Sequence, residues 1–299
     1  MRLARVRATA YPKLTLSLRV TGVRDDGYHD LDALVVSLGQ PHDVLEAYAV
    51  PSPGGVQVEL APDDPESAGI PTDHTNLAFI AAEKLLVRAG RSGHGVRIVL
   101  RKRIPAGAGL GGGSADAAAA LLAVRRLLDV DIDDAGVLAL AAEIGSDVSF
   151  CVRGGAAWMR GSGADLEPID LPTGLAFLVA IPPFRLATPD VYRAWDRMGG
   201  PVSERGVRAP RRVAEFLPEL FNDLEPAAEA IEPRLVEFRT ALEATVARPA
   251  ILAGSGSAYV VPVNNARDLP QLVGEVGRRL RVPVVGTTSV SRGVRLGVG

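Results

Sequence analysis

Cysteine is nearly absent: Cys151 is the only one in 299 residues. A single thiol excludes an internal disulfide framework and any multi-cysteine metal site. The four histidines, His29, His42, His74 and His94, are far apart and match no zinc-enzyme spacing. No apolar run approaches the roughly 20 residues that a bilayer span needs; Ala117 to Val124 and Leu175 to Phe184 are among the longest. An excess of one charge sign is also missing. The net charge is −2, so nothing calls for a nucleic-acid backbone or an anionic membrane as partner. Lysine is scarce: of 33 basic residues only Lys13, Lys84 and Lys102 are lysines. A compact ammonium is therefore kept at three places in a chain that otherwise uses the planar arginine fork.

Apolar material is ample at 47%, enough for a sizeable core, and the length suggests about two domains. Arg2, Arg5 and Arg7 precede the first acid, Asp25, but no apolar stretch of a secretory leader follows them. Val6 to Val20 alternates as a first strand pair of the fold, and a cytoplasmic enzyme is expected. Leu14, Leu16 and Leu18 alternate with polar residues as in a half-buried strand. Strands are expected within Leu31 to Ala49, at Val56 to Leu60, and around Val96, Ile98 and Leu100. A helix is expected over Thr75 to Ala89, stopped by Gly90. Ala115 to Leu128 and Asp133 to Ile144 read as helices, and Val148 to Arg160 reads as strand. A boundary is expected where Gly163, Pro168 and Pro172 cluster, which divides the chain into 1–165 and 166–299. Beyond it the pattern gives a strand at Leu175 to Ile181 and helices around 189–198, 210–220 and 230–246. Strands at Ala250 to Ala253 and Ala258 to Val263, a helix near 267–280 and a strand near 282–290 close the chain. The class is α+β.

The chemistry concentrates at Pro105 to Ser114, P-A-G-A-G-L-G-G-G-S. Glycine at this density lets backbone amides converge on a ligand with no Cβ in the way. The helix expected to open at Ser114 adds its unpaired N–H groups and the positive end of its dipole. Together these suit a phosphate. Ser114 would cap that helix or place its hydroxyl on a phosphate oxygen or a metal. No lysine follows the glycines, so this is no Walker A loop. A dinucleotide fingerprint can be read at Gly107, Gly109 and Gly112, but Arg101-Lys102-Arg103 and Pro105 part the glycines from their strand. Read on their own, Asp147 also suits an Asx turn, Asn76 a helix cap, and Gly254-Ser255-Gly256-Ser257 a β-turn.

The pattern P-x-x-x-G-L-G-x-x-S-A opening a helix resembles the GHMP kinase superfamily. Further segments agree in order and spacing along nearly the whole chain. They are Tyr11 to Leu16, Gly22 to Leu31 with its Asp26-Gly27-Tyr28-His29, Thr75-Asn76-Leu77, Ile144 to Val148, Ala187 to Tyr192, Asn222 to Glu225 and Gly254 to Ser257. The D-G-Y-H segment resembles the branch acting on a cytidine-diphosphate-linked methylerythritol. The resemblance implies a two-domain GHMP kinase fold, S5-like then ferredoxin-like, with the active site between the domains. It implies ATP- and Mg2+-dependent phosphorylation of an alcohol on a small-molecule substrate, with no nucleic acid or membrane partner.

By the same resemblance Asp147 is the acid–base residue, and Lys13 is its partner, offsetting charge on the transferring phosphoryl group. Asn76, Leu77 and Lys102 line the adenine site. Pro105, Ala106, Gly107, Ala108, Gly109, Leu110, Gly111, Gly112, Gly113, Ser114 and Ala115 hold the nucleotide phosphates. Tyr28 and His29 recognise cytidine, with Tyr192 on the opposite wall, and Thr188 contacts the substrate. Gly254, Ser255 and Gly256 order the substrate diphosphate or support the glycine loop. Thr15 stands where relatives carry asparagine and keeps a hydroxyl without the amide donor. No metal ligand is assigned. The alternatives are a GHMP kinase for another small alcohol, a nicotinamide-binding oxidoreductase using Gly107 to Gly112, and a catalytically dead binding module.

Overall fold

The computed structural model describes residues 4–62, 64–163, 165–200 and 220–297. The expected helix over 210–220 and the Val202 to Arg212 segment lie outside the described residues, apart from Leu220. One sheet takes β1 (Arg5–Ala10), β4 (Asp43–Val50), β5 (Val56–Leu60), β6 (Gly95–Arg101) and β14 (Val294–Gly297) in the order β14-β1-β4-β6-β5. A second sheet runs β10 (Phe221–Asn222), β2 (Lys13–Val23), β3 (His29–Leu38), β13 (Val284–Val290), β9 (Ala176–Ala180), β12 (Tyr259–Val263), β11 (Ile251–Leu252). There β7 (Ala156–Gly161) also pairs with β3, and β8 (Asp165–Pro168) pairs with β7. The architecture is the expected α+β.

Helices α1 (Leu77–Arg88), α2 (Gly112–Leu127), α3 (Asp134–Ile144) and α4 (Ser146–Arg153) cover the first sheet and share one core with it. The alanine run in α2 explains its place: Ala115 and Ala117 to Ala120 are fully buried. Their small side chains let α1 and β1 approach the helix axis closely. Helices α5 (Thr188–Arg197), α6 (Glu225–Ile231), α7 (Arg234–Val246) and α8 (Leu269–Leu280) belong to a second core. Strand β2 joins the two. Leu14 and Leu16 pack in the first core, whereas Leu18 and Val20 pack in the second, after a bulge between Thr15 and Ser17 in the pairing with β3. The two cores do not separate the sheets, because β13 pairs with β3 and β14 returns to pair with β1.

Several expectations change. Strand β2 is buried on both faces, not half-buried, since Thr15 and Ser17 point inward as well. Helix α2 opens at Gly112 with Gly111 in the cap position, so Ser114 lies inside the first turn and caps nothing. The strand expected over 148–160 is helix in its first part and strand in its second: α4 occupies Ser146–Arg153, and β7 covers Ala156–Gly161. The alternation of Val148, Phe150 and Val152 mimics a strand. The extended Gly145 instead ends α3 and starts α4 in one residue, with Asp147 favouring the positive helix end. The helix expected over 230–246 is two helices, because Pro233 disfavours helical backbone at Glu232 (φ −136°). The chain also continues past β13 into β14.

Asn222 ties the second core to the turn after β11. Its Nδ2 donates to the carbonyls of Leu252 (2.9 Å) and Gly254 (2.6 Å), and its Oδ1 accepts from the Leu224 amide (2.9 Å). Asn222→Ala leaves these buried groups unmatched and is expected to lower the unfolding free energy by about 2 kcal/mol or more in urea denaturation. An unchanged midpoint and slope would contradict this anchoring role.

Candidate active site

Strand β6 ends at Arg101, and the chain then forms the loop Lys102 to Gly111 before α2. The loop is pressed against the turn that follows β11. A Cβ on Gly109 (φ +79°) would lie 1.8 Å from the Ala253 carbonyl oxygen, and one on Gly111 (φ +67°) would lie 2.8 Å from Cγ of Lys13. Both positions combine left-handed backbone with a contact that excludes any side chain. The amides of Ser257 and Ala258 donate to the carbonyls of Gly107 (3.2 Å) and Ala108 (3.3 Å), and Lys13 N donates to Leu110 O (3.0 Å). Gly254 to Ser257 therefore buttresses the glycine loop.

A cleft of about 860 Å³ opens beside this loop. Every candidate residue read from the sequence lines it except Ala115, which is fully buried in the core, its amide bonded to Gly111 O. At its centre Lys13 Nζ lies 3.3 Å from Asp147 Oδ2 and donates to Thr15 Oγ1 at 3.3 Å. The ammonium comes from the buried start of β2, and the carboxylate from the first turn of α4. Thr15 is thus a partner of Lys13, which leaves it a hydroxyl shared between lysine and cleft.

Asn76 caps α1: its Oδ1 accepts from Ala78 N (2.8 Å), and its Nδ2 donates to Pro71 O (2.7 Å). It shapes the cleft wall with both polar ends occupied. At the far end Tyr192 stacks at a tilt on His29, with ring centroids 4.6 Å apart, and Tyr28 is 73% exposed at the rim. Burial, then the nearby Asp147 charge, pushes the Tyr192 phenol well above its ordinary value, so it stays a neutral hydroxyl. Thr188 Oγ1 and Ser255 Oγ lie 2.8 Å apart, linking α5 to the buttressing turn.

Lys102 lines the cleft and also belongs to a buried charge cluster. Its ammonium is buried and pairs with both Asp43 and Asp116, so it faces inward from the cleft wall. Asp43 Oδ1 also accepts from the amides of Arg103 (2.5 Å) and Ile104 (2.8 Å), where β6 hands over to the glycine loop. Lys102 thereby fixes the loop to β4 and α2. Burial lowers the Lys102 pKa, but the two carboxylates outweigh it and hold the ammonium above the ordinary lysine value. Burial pushes the Asp116 carboxyl up to about 7, helped by Asp43 and opposed by Lys102. Asp43, beside Lys102, and Asp196, whose Oδ1 lies 2.8 Å from His29 Nε2, are neighbours of cleft residues that no local sequence signal marks. The scarcity of lysine marks Lys102 as a place where a compact ammonium is needed, but no local signal points to Asp43.

The chain matches the GHMP kinases N terminal domain family over residues 76–155, which spans Asn76, the glycine loop and Asp147. It is 33% identical to the 4-diphosphocytidyl-2-C-methyl-D-erythritol kinase of Desulfitobacterium hafniense over 96% of this chain and 97% of that protein. This chain belongs to the 4-diphosphocytidyl-2-C-methyl-D-erythritol kinase family. The same-named enzyme of Pelotomaculum thermopropionicum is 38% identical over 84% of this chain and 86% of its own length. A crystal structure of 4-(cytidine 5'-diphospho)-2C-methyl-D-erythritol kinase superposes with a TM-score of 0.73 at 33% identity, covering 98% of this chain and 100% of that one. A homoserine kinase from Cytophaga hutchinsonii shares the fold, with a TM-score of 0.71 at 18% identity over 99% of this chain and 98% of that one.

Folded Asp116 keeps its proton to about pH 7, whereas an unfolded aspartate releases it near 3.8. The folded state binds more protons across that window, so this group's contribution to stability falls as pH rises through it. Asp116→Asn is expected to remove that fall. In urea denaturation series, the stability difference should move in the variant's favour from about pH 4 to 7 and level off above. A pH-independent difference would contradict the assignment.

Proposed function

We propose that this cleft transfers the γ-phosphoryl group of ATP to the C2 hydroxyl of 4-diphosphocytidyl-2-C-methyl-D-erythritol, with Lys13 and Asp147 as the catalytic pair. Family membership makes the chain an ATP-using kinase with a small-molecule substrate, placed on the non-mevalonate route to isopentenyl diphosphate. The observation that carries the residue-level reading is the Lys13–Asp147 pair, 3.3 Å apart, in the same cleft as the glycine loop and the His29–Tyr192 stack.

The glycine loop and the first turn of α2 offer amides and a helix N-terminus to the phosphates, and Leu77 and the Lys102 stem offer an apolar wall to adenine. Asp147 accepts the proton of the attacking hydroxyl at a carboxylate oxygen, and Lys13 offsets charge on the transferring phosphoryl group. Tyr28, His29 and Tyr192 hold the pyrimidine, where stacking contributes about 1–3 kcal/mol per base. Thr188 and Ser255 face the substrate diphosphate. Positioning supplies most of the rate, as in other phosphoryl transfers.

Mg2+ belongs to this proposal. Among the described residues no group of three or more His, Cys, Asp or Glu forms a metal site. That fits magnesium, which uses one or two protein oxygens and takes the rest from phosphates and water. Ser114, in the first turn of α2, and Asp147 are the cleft side chains that would hold it, and the ion would neutralise charge on the β- and γ-phosphates. The domain division at 165/166, a cytoplasmic location and the lack of a nucleic-acid partner are likewise proposals. Among the described residues no helix is long and apolar enough to cross a membrane.

A coupled ADP-release assay with the cytidyl substrate tests the function; no turnover, or equal turnover of unrelated small alcohols, would refute it. Asp147→Asn is expected to lower kcat by about two decades or more while the thermal midpoint holds. A near-normal kcat would remove Asp147 from the chemistry.

A further inference from the structure

Helix α5 presents Tyr192, Trp195 and Asp196 on one face, spaced i, i+3 and i+4, against His29 at the start of β3. Tyr192 stacks on the imidazole, Trp195 meets it edge-on with centroids 5.4 Å apart, and Asp196 Oδ1 lies 2.8 Å from Nε2. The His29 side chain is only 8% exposed, so three contacts fix its ring plane and orientation. A carboxylate oxygen accepts hydrogen bonds, so Nε2 donates. In neutral His29 the single proton then sits on Nε2, and Nδ1 keeps its lone pair. Nδ1 has no hydrogen-bond partner among the described residues, and His29 lines the cleft.

We propose that Asp196 is a specificity-determining positioning residue: by holding the proton on His29 Nε2 it makes Nδ1 an acceptor, which matches the 4-amino group of cytosine and rejects uracil. The inference rests on the cytidyl reading above. Cytosine offers an N–H donor at position 4, whereas uracil offers a carbonyl oxygen there. Against a fixed Nδ1 lone pair the uracil oxygen sets acceptor facing acceptor in a largely desolvated site, and neither atom finds a proton. Without the carboxylate the imidazole can place its proton on Nδ1 and donate to the uracil oxygen, so discrimination falls.

The test measures kcat/KM for the cytidyl substrate and its uridyl counterpart in the wild type, Asp196→Ala and Asp196→Glu. Thermal midpoint and KM for ATP serve as controls, and ring nitrogen chemical shifts of His29 are recorded by NMR. The wild type is expected to favour the cytidyl substrate and to show a protonated Nε2 with an unprotonated Nδ1. Asp196→Ala is expected to cut the cytidyl-to-uridyl ratio by about tenfold or more with KM for ATP unchanged, and Asp196→Glu to restore much of it. An unchanged ratio in Asp196→Ala, an equal loss on both substrates, or a wild-type His29 protonated on Nδ1 overturns the proposal. A wild type that turns over neither substrate overturns the cytidyl reading and this inference together, whereas normal cytidyl turnover with an unchanged ratio overturns this inference alone.

Discussion

The close approach of the glycine loop to the turn after β11 is the constraint on which the cleft depends. At Gly109 the backbone lies so near the Ala253 carbonyl that a methyl group has no room. Hydrogen bonds from Ser257 and Ala258 then lock the loop to a segment about 150 residues further along the chain. The glycine loop and the turn after β11 are thereby held as one body. Thr188 and Ser255 extend that body to α5, so the helix that packs on His29 is tied to the loop expected to hold the phosphates.

The charges follow the same economy. Each ammonium near the cleft is committed to a carboxylate. Lys13 faces Asp147, and Lys102 faces Asp43 and Asp116. The first pair is half open and sits where chemistry is proposed. The second is closed off, and it serves to hold the strand-to-loop junction. Lysine suits both places, because a compact ammonium can sit between two carboxylates or beside a hydroxyl and a carboxylate where a planar guanidinium would not fit.

The glycine loop was legible because its signal is local: glycines 107, 109, 111, 112 and 113 ahead of an alanine-rich helix have few other uses. Most strands were legible from alternation, and α3 from its cap at Asp133. The helix carrying Asp147 was not. Val148, Phe150 and Val152 alternate as in a strand, and only the packing of α4 on α2 and α3 settles the backbone there. The helix start was misplaced by two residues, at Ser114, because the helix opens on Gly112 and Gly113, which are poor helix formers.

Order along the chain sets where the backbone bends, where helices can begin, and which few side chains are chemically unusual: three lysines, one histidine after Asp-Asp-Gly-Tyr, one aspartate after Gly-Ser. These are consequences of local sterics and of residue chemistry. Which charges meet is settled by packing. Lys102 finds Asp43 across 59 residues, and His29 finds Asp196 across 167. Electrostatic and hydrogen-bonding energies depend on distance and burial, which are set by packing and not by separation along the chain.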